Sequence, residues 1–199
     1  MDILPALAPD PNGPEPIFLA EAKAFLRVEH ADEDPLILDL IRAARQRVEM
    51  QIGRALVDVE RRETLLAPFP RERVSAQGRI SLSPSPLLVL RGLTLHSGDR
   101  EPILIDPADP ANAPDRVRVV SDPAAIVLNW TQDRLALARS DRIEIVAVYG
   151  YGGLGNVPPA LRDAILRLVA QNYESRGLIR DTPDAEWAAQ IAPFQIWRL

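Results

Sequence analysis

The residues best suited by type and spacing to do chemistry are Gly150-Tyr-Gly152-Gly153-Leu-Gly155. They match G-x-G-x-x-G, the turn with which a strand-to-helix junction cradles a dinucleotide pyrophosphate. A strand pattern precedes them and a helix pattern follows, as such a site demands. The rest of the constellation is missing. No strand follows the helix to complete a βαβ unit, and no acidic residue ends such a strand to hold a ribose. Pro158 and Pro159 remove two backbone N–H groups from the helix start where pyrophosphate would bind. The simpler reading is a glycine connector between a β region and the last long helix.

The other reactive side chains are equally poor in partners. Asp32, Glu33 and Asp34 could form a metal site or an acid/base pair, but helix capping accounts for them. Counted from Asp32, the sixth and twelfth places of an EF-hand loop hold Ile37 and Ala43 instead of Gly and Glu. His30 and His96 are the only histidines, and neither has a neighbour at metal-ligand spacing. No G-x-S-x-G elbow is present. The absence of cysteine excludes disulfides, thiolate nucleophiles and Cys-based zinc sites, and it fits a reducing compartment. No catalytic, metal-binding or cofactor-binding residue is therefore assigned, and no cofactor is expected.

Charge argues against a nucleic-acid-seeking protein. The net charge is -5, with Lys23 the only lysine. Arg42, Arg45 and Arg47 could touch phosphate, but Arg45 and Glu49 at i, i+4 read more simply as a solvated or subunit-facing ion pair. No run approaches the roughly 20 apolar residues that span a bilayer. Met1-Asp-Ile-Leu-Pro lacks the basic and apolar regions of a secretory signal.

The elements that would position these residues fall into three zones. Five prolines in residues 1–16 predict an extended arm. Leu19, Ala22, Phe25 and Leu26 predict a helix over 19–26. Asp34 as N-cap and Pro35 at the first helical position start a second helix. Leu36, Ile37, Leu40, Ile41, Ala44, Val48 and Ile52 form its apolar stripe, and Gly53 stops it. From Arg61 the period changes. Strands are predicted near 62–67, 79–82, 87–95, 116–120, 125–130, 134–138 and 142–149, separated by Pro, Gly and Asp turns. The unbroken run Leu87-Leu88-Val89-Leu90 suggests a strand buried on both sides. In the last strand, Ile143, Ile145, Ala147 and Tyr149 share one face. Helix returns after Pro158-Pro159, with Leu161, Ala164, Ile165 and Leu168 on its inner face, and a short helix follows Thr182-Pro183-Asp184 to about Gln190.

The expected fold is α+β: a small helical bundle formed by both ends of the chain, with an inserted antiparallel β-sandwich or barrel. The expected divisions are a flexible arm (1–16), a helical domain (17–56 plus 157–180), a β insertion (57–156) and a C-terminal tail (181–199). The tail ends Ile191-Ala-Pro-Phe-Gln-Ile-Trp-Arg-Leu199, material suited either to its own core or to a partner's groove.

Three stretches resemble the head–tail connector (adaptor) family of long-tailed phages and phage-derived gene transfer agents. They are Leu19–Val28 with Asp32–Ile41 and Val48–Leu56; Val148–Gly153 leading into Val157–Ile165 and Asn172–Arg176; and Ile191–Phe194. The resemblance implies a structural, non-enzymatic role in virion assembly. Family members form a homo-oligomeric ring, commonly a dodecamer, between the portal protein and the next neck, stopper or tail-side protein. DNA passes through such a ring without sequence-specific binding, and no membrane is involved. The implied location is the bacterial cytoplasm during assembly and then the neck of a phage-like particle. By the same resemblance Pro193, Phe194, Ile196, Trp197 and Leu199 would bind the portal. Arg42, Arg45, Glu49, Arg162 and Arg176 are candidates for contacts between subunits. Two other classes compete: a β-sandwich ligand- or carbohydrate-binding module, and a nucleotide-binding enzyme resting on the glycine loop.

Overall fold

The computed structural model of the chain describes residues 14–109, 116–175 and 185–196. Two compact units emerge: Asn12–Val57 with Tyr151–Leu199, and Asp58–Gly150. The architecture is mixed helix and antiparallel sheet.

The first unit is helical. It comprises α1 (Leu19–Leu26), α2 (Asp34–Ile52), α4 (Pro159–Glu174) and α5 (Ala185–Ile191). Ile37, Ile41, Ala44, Val48 and Ile52 of α2 are at most 1% exposed, and they pack with Leu161, Ala164, Ile165 and Leu168 of α4 in one apolar core. Each fully buried Ile or Leu stabilises by about 1.5–3 kcal/mol. Gly53 ends α2 in the left-handed region at φ 70°. Phe25 and Leu36, read as inward-facing, are 47% and 50% exposed. The core-facing arc of each helix is already filled by its neighbours at helical spacing.

The start of α2 departs from the capping expectation. No side chain caps the helix. Asp34 instead accepts from Lys23 Nζ at 2.6 Å, and Glu33 accepts the Tyr173 hydroxyl hydrogen bond. A full positive charge and a phenol compete better for these carboxylates than backbone N–H groups open to water.

A buried ionic network ties this unit together. Arg45 is 2% exposed. Its Nε donates to Glu15 Oε2 at 2.6 Å and its Nη1 to Glu49 Oε2 at 2.7 Å. Glu49 Oε1 accepts the Leu56 backbone N–H at 2.7 Å. The network joins the segment before α1, the middle of α2 and the chain just beyond Gly53. Burial alone would lower the Arg45 pKa, but the hydrogen bonds and negative charges of Glu15 and Glu49 raise it, so the guanidinium stays charged.

The second unit carries two open sheets. One is four-stranded in the order β1-β7-β3-β4, from β1 (Val59–Leu66), β7 (Arg142–Tyr149), β3 (Leu87–His96) and β4 (Ile103–Ile105). The other is three-stranded, β2-β6-β5, from β2 (Arg79–Ser81), β6 (Ala125–Leu128) and β5 (Val117–Val120). Among the described residues every strand pairing is antiparallel and neither sheet closes into a barrel. β7 alternates as its sequence predicts, with Ile143, Ile145, Ala147 and Tyr149 at most 1% exposed. Inside this unit, Ser85 Oγ accepts the Ala124 N–H at 2.7 Å, linking the turn before β3 to the start of β6.

Three strand expectations change. Residues 134–138 lie in a helix, α3 (Thr131–Arg139). Leu-Ala-Leu-Ala alternates like a strand but favours helix by propensity. Arg116 decides the matter by holding Asp133 of the first helical turn through Nε at 2.8 Å and Nη2 at 2.9 Å. The hydrogen bonds to Asp133 raise the guanidinium pKa despite its partial burial, and Arg116 also stands 5.5 Å above the Trp130 ring. The run at 87–90 is not buried on both sides, since Val89 is 43% exposed. Register shifts at Leu87/Val89 and Leu90/Gly92 reset the alternation, so Leu87, Leu90, Leu93 and Leu95 point inward. β4 escaped the sequence pattern because it is three residues long and lies at a sheet edge.

Truncating Arg45 strands two partly buried carboxylates. Arg45→Ala is expected to lower the unfolding free energy by about 3–5 kcal/mol, measured by urea denaturation. A loss below 1 kcal/mol would show the network to be dispensable.

Candidate functional site

The glycine loop is built for backbone geometry. Gly150, Gly152 and Gly153 have φ of 137°, 74° and 138°, a region open to glycine and strained for other residues. A Cβ on Gly150 would lie 2.4 Å from Asp58 Oδ1 and 2.8 Å from Asp58 Cα. Asn156 Nδ2 donates to the carbonyl of Tyr151 at 3.1 Å, folding the loop on itself. A 3₁₀ turn over Leu154–Asn156 follows, and Pro158 and Pro159 open α4. That helix start offers no run of N–H groups to a phosphate. Among the described residues no group of three or more His, Asp or Glu side chains gathers around a common point. His30 stands 3.9 Å from Glu33 Oε2, and His96 lies between Arg142 and Glu144.

Arg42, Arg45 and Arg162 are engaged within the helical unit. Arg42 Nη1 donates to Asp39 at 2.8 Å. Arg45 and Glu49 form the pair their spacing suggests, but in the interior and not in solvent. Arg162 Nη2 reaches both carboxylate oxygens of Glu21, at 2.8 and 3.0 Å, and joins α4 to α1. Arg167 bridges Asp163 and Glu186. Arg176 lies outside the described residues.

The C-terminal segment returns to the helical unit. Trp187 is 3% exposed, and its indole Nε1 donates to the Ala164 carbonyl at 3.0 Å. Ile191 is fully buried, and Gln190 Nε2 donates to the Ala160 carbonyl and to Asp163, both at 2.8 Å. A 3₁₀ turn over Ala192–Phe194 brings the chain to the end of α2. There Arg54 Nε donates to the Phe194 carbonyl at 2.6 Å, and the Ile196 N–H donates to the Ile52 carbonyl at 3.1 Å. One orphan carbonyl at the end of α2 is thereby satisfied by a residue far along the chain. Phe194 packs half-buried on the core, Ile196 is half-buried beside Gly53, and Pro193 is exposed. Trp197 and Leu199 lie outside the described residues. The roles of Arg54 and Trp187 went unread in the sequence. A lone arginine after a helix-stopping glycine carries no sign of a partner 140 residues on.

A groove of about 560 Å³ lies beside α4, with Phe25, Ala170 and Trp187 among its apolar lining and Asp163, Arg167 and Glu174 among its polar lining. A second hollow of about 320 Å³ lies in the β unit, lined by Phe69, Val74, Arg134 and Leu137 among others. No helix in the described residues is long and apolar enough to cross a membrane.

Residues 16–97 match the model of the phage gp6-like head-tail connector protein family. The matched stretch holds α1, α2 and the first three strands. No curated protein matches the chain by sequence. Its fold is similar to a chain in the virion of a native gene transfer agent particle, with a TM-score of 0.67 and 22% identity over 94% of this chain and 95% of that one. It is also similar to a chain in the neck of an empty gene transfer agent particle computed with C6 symmetry, at TM-score 0.63 and 22% identity, covering 91% of this chain and 90% of that one. A chain in the neck of the native particle computed with C12 symmetry matches at TM-score 0.61 and 22% identity, covering 91% and 89%.

Two outcomes follow from the site geometry. Gly150→Ala is expected to cost more than about 1 kcal/mol through strain and collision with Asp58, whereas Gly155→Ala, with open space around it, should be near neutral by thermal denaturation. Comparable losses at both positions would point to a role beyond backbone geometry. The Glu33 hydrogen bond raises the Tyr173 pKa. Its contribution is complete below the ordinary tyrosine range and is lost as pH rises through the raised value. The stability advantage of the natural chain over Tyr173→Phe should therefore shrink in strongly alkaline solution. An advantage that does not change there would mean the phenol is not held by Glu33.

Proposed function

We propose that this chain is a structural head–tail connector: a ring-forming adaptor that sits between a portal and the next neck or tail-side component and lines the DNA channel. The carrying observation is the end-to-end likeness of the fold to gene transfer agent virion and neck chains, joined by the connector-family match over residues 16–97. The helical domain formed by 17–56 with 157–180 builds the ring in this reading. The role needs shape and contacts and no covalent chemistry. It places the protein in the bacterial cytoplasm while the particle assembles and afterwards in its neck.

The residues support this reading in two ways. Arg42, Arg45, Arg162 and Arg167 are each matched by a carboxylate, so these helices offer passing DNA little free positive charge from them. Residues 193–199 form the portal-docking end, with Pro193 exposed and Phe194 and Ile196 half-buried at the end of α2. Many such tails on one ring raise effective concentration, so weak single contacts suffice.

Deleting Pro193 to Leu199 is expected to abolish binding to a portal ring. It should cost only about 1–3 kcal/mol of stability, from the hydrogen bonds at Phe194 and Ile196 and their partial packing. Pull-down on purified portal with circular dichroism on the truncated chain tests both halves. Undiminished binding by a folded truncated chain would sink the docking assignment.

A further inference from the structure

We infer that residues 192–196 form a strap: they are latched onto the end of α2, and the docking end has to leave that latch to engage a portal. The inference rests on the connector reading and names a regulation of its docking end.

The C-terminal segment is held firmly only as far as Ile191. Trp187 and Ile191 are 3% and 0% exposed, and Gln190 is tied to α4 by two hydrogen bonds. From Ala192 to Ile196 no residue is buried. Two hydrogen bonds hold this stretch down. Arg54 Nε donates to the Phe194 carbonyl at 2.6 Å, and the Ile196 N–H donates to the Ile52 carbonyl at 3.1 Å. Ile52 and Arg54 flank Gly53, where α2 stops. Helix-end carbonyls are satisfied by water when no protein group reaches them, so release of the strap leaves no obligatory partner unmet.

The bonded atoms are the ones a docking peptide needs. Gln195 is already extended, at φ -66° and ψ 138°. In an extended strand the N–H and C=O of one residue point to the same edge, and those of the residue two further along point there too. The Phe194 carbonyl and the Ile196 N–H therefore share an edge, and the latch occupies it. The Gln195 N–H is also taken, since it closes the 3₁₀ turn on the Ala192 carbonyl at 3.2 Å. A peptide that adds to a partner's surface as a strand offers these same main-chain groups. They cannot serve α2 and a portal at once. Phe194 is caught in the same way, because its side chain packs against the helical core. Latching and docking are alternative states of one segment, and the latched fraction lowers the apparent affinity for the portal.

The geometry also supplies a lock. A Cβ built on Gly53 lies 3.8 Å from the Ile196 Cβ, the usual separation across a disulfide. The chain has no cysteine, so Gly53→Cys with Ile196→Cys allows a single bond within the chain. Backbone strain from replacing Gly53 is common to the oxidised and reduced forms, so comparing the two isolates the lock.

Full-length chains would be titrated onto a purified portal ring by biolayer interferometry, with the natural chain measured with and without reductant as the control. Arg54→Ala should bind about tenfold tighter than the natural chain, the effect of removing one charge-assisted hydrogen bond from the latched state. The oxidised Gly53→Cys/Ile196→Cys chain should bind at least about tenfold more weakly than its reduced form, and dithiothreitol should restore it. Equal binding by the oxidised and reduced forms would overturn the strap, while the binding itself would still uphold the connector reading. Arg54→Ala binding no tighter than the natural chain would overturn the strap in the same way. Absence of binding by the natural, Arg54→Ala and reduced chains alike would overturn the portal-docking reading and the strap with it.

Discussion

The helical unit depends on burying the inner stripe of α2 against α4, two segments separated by the whole β unit. In a folded protein most of a helix's stability comes from packing its amphipathic face and not from helix propensity. Their stability comes from the shared core of Ile37, Ile41 and Val48 with Leu161, Ile165 and Leu168. That pairing obliges the chain to leave after Val57 and return at Tyr151. β1 and β7 meet the obligation from the other side. Val59 pairs with Tyr149, so the strand that opens the β unit ends beside the strand that closes it. Gly150 then has to pass Asp58 at a distance that leaves no room for a side chain.

Polar groups finish what the apolar core begins. The Arg45 network, the Trp187 bond to a helix carbonyl and the Ile196 bond to the end of α2 each join segments remote in sequence. A buried ion pair is a poor source of net stability compared with an apolar replacement. Its effect here is one of position: it sets where the segment before α1 meets the middle of α2. The same logic explains why a set of arginines that looks basic in one dimension is neutral in three.

The helical unit does not bury all of its apolar surface. Apolar side chains that the core does not use, at Leu36, Met50 and Phe25, lie on the outside of the helical unit. The glycine loop that most resembles a catalytic motif is spent on a chain crossing.

Local pattern by itself determined α1, α2 and α4, the glycine stop at Gly53 and the inward face of β7. In each, hydrophobic period and backbone chemistry point the same way, and neither needs a distant partner. Tertiary structure alone decided the rest. Residues 131–139 are helical because Arg116 grips Asp133. The alternation in β3 is reset by two bulges, and Asp34 serves Lys23 and not the helix end. Arg45 is interior because Glu15 closes over it, and residues 194–196 rest on α2 because Arg54 and the Ile52 carbonyl receive them. Each of these outcomes is a competition between local preference and a charged or hydrogen-bonded partner brought near only by folding. A one-dimensional reading has no access to that distance.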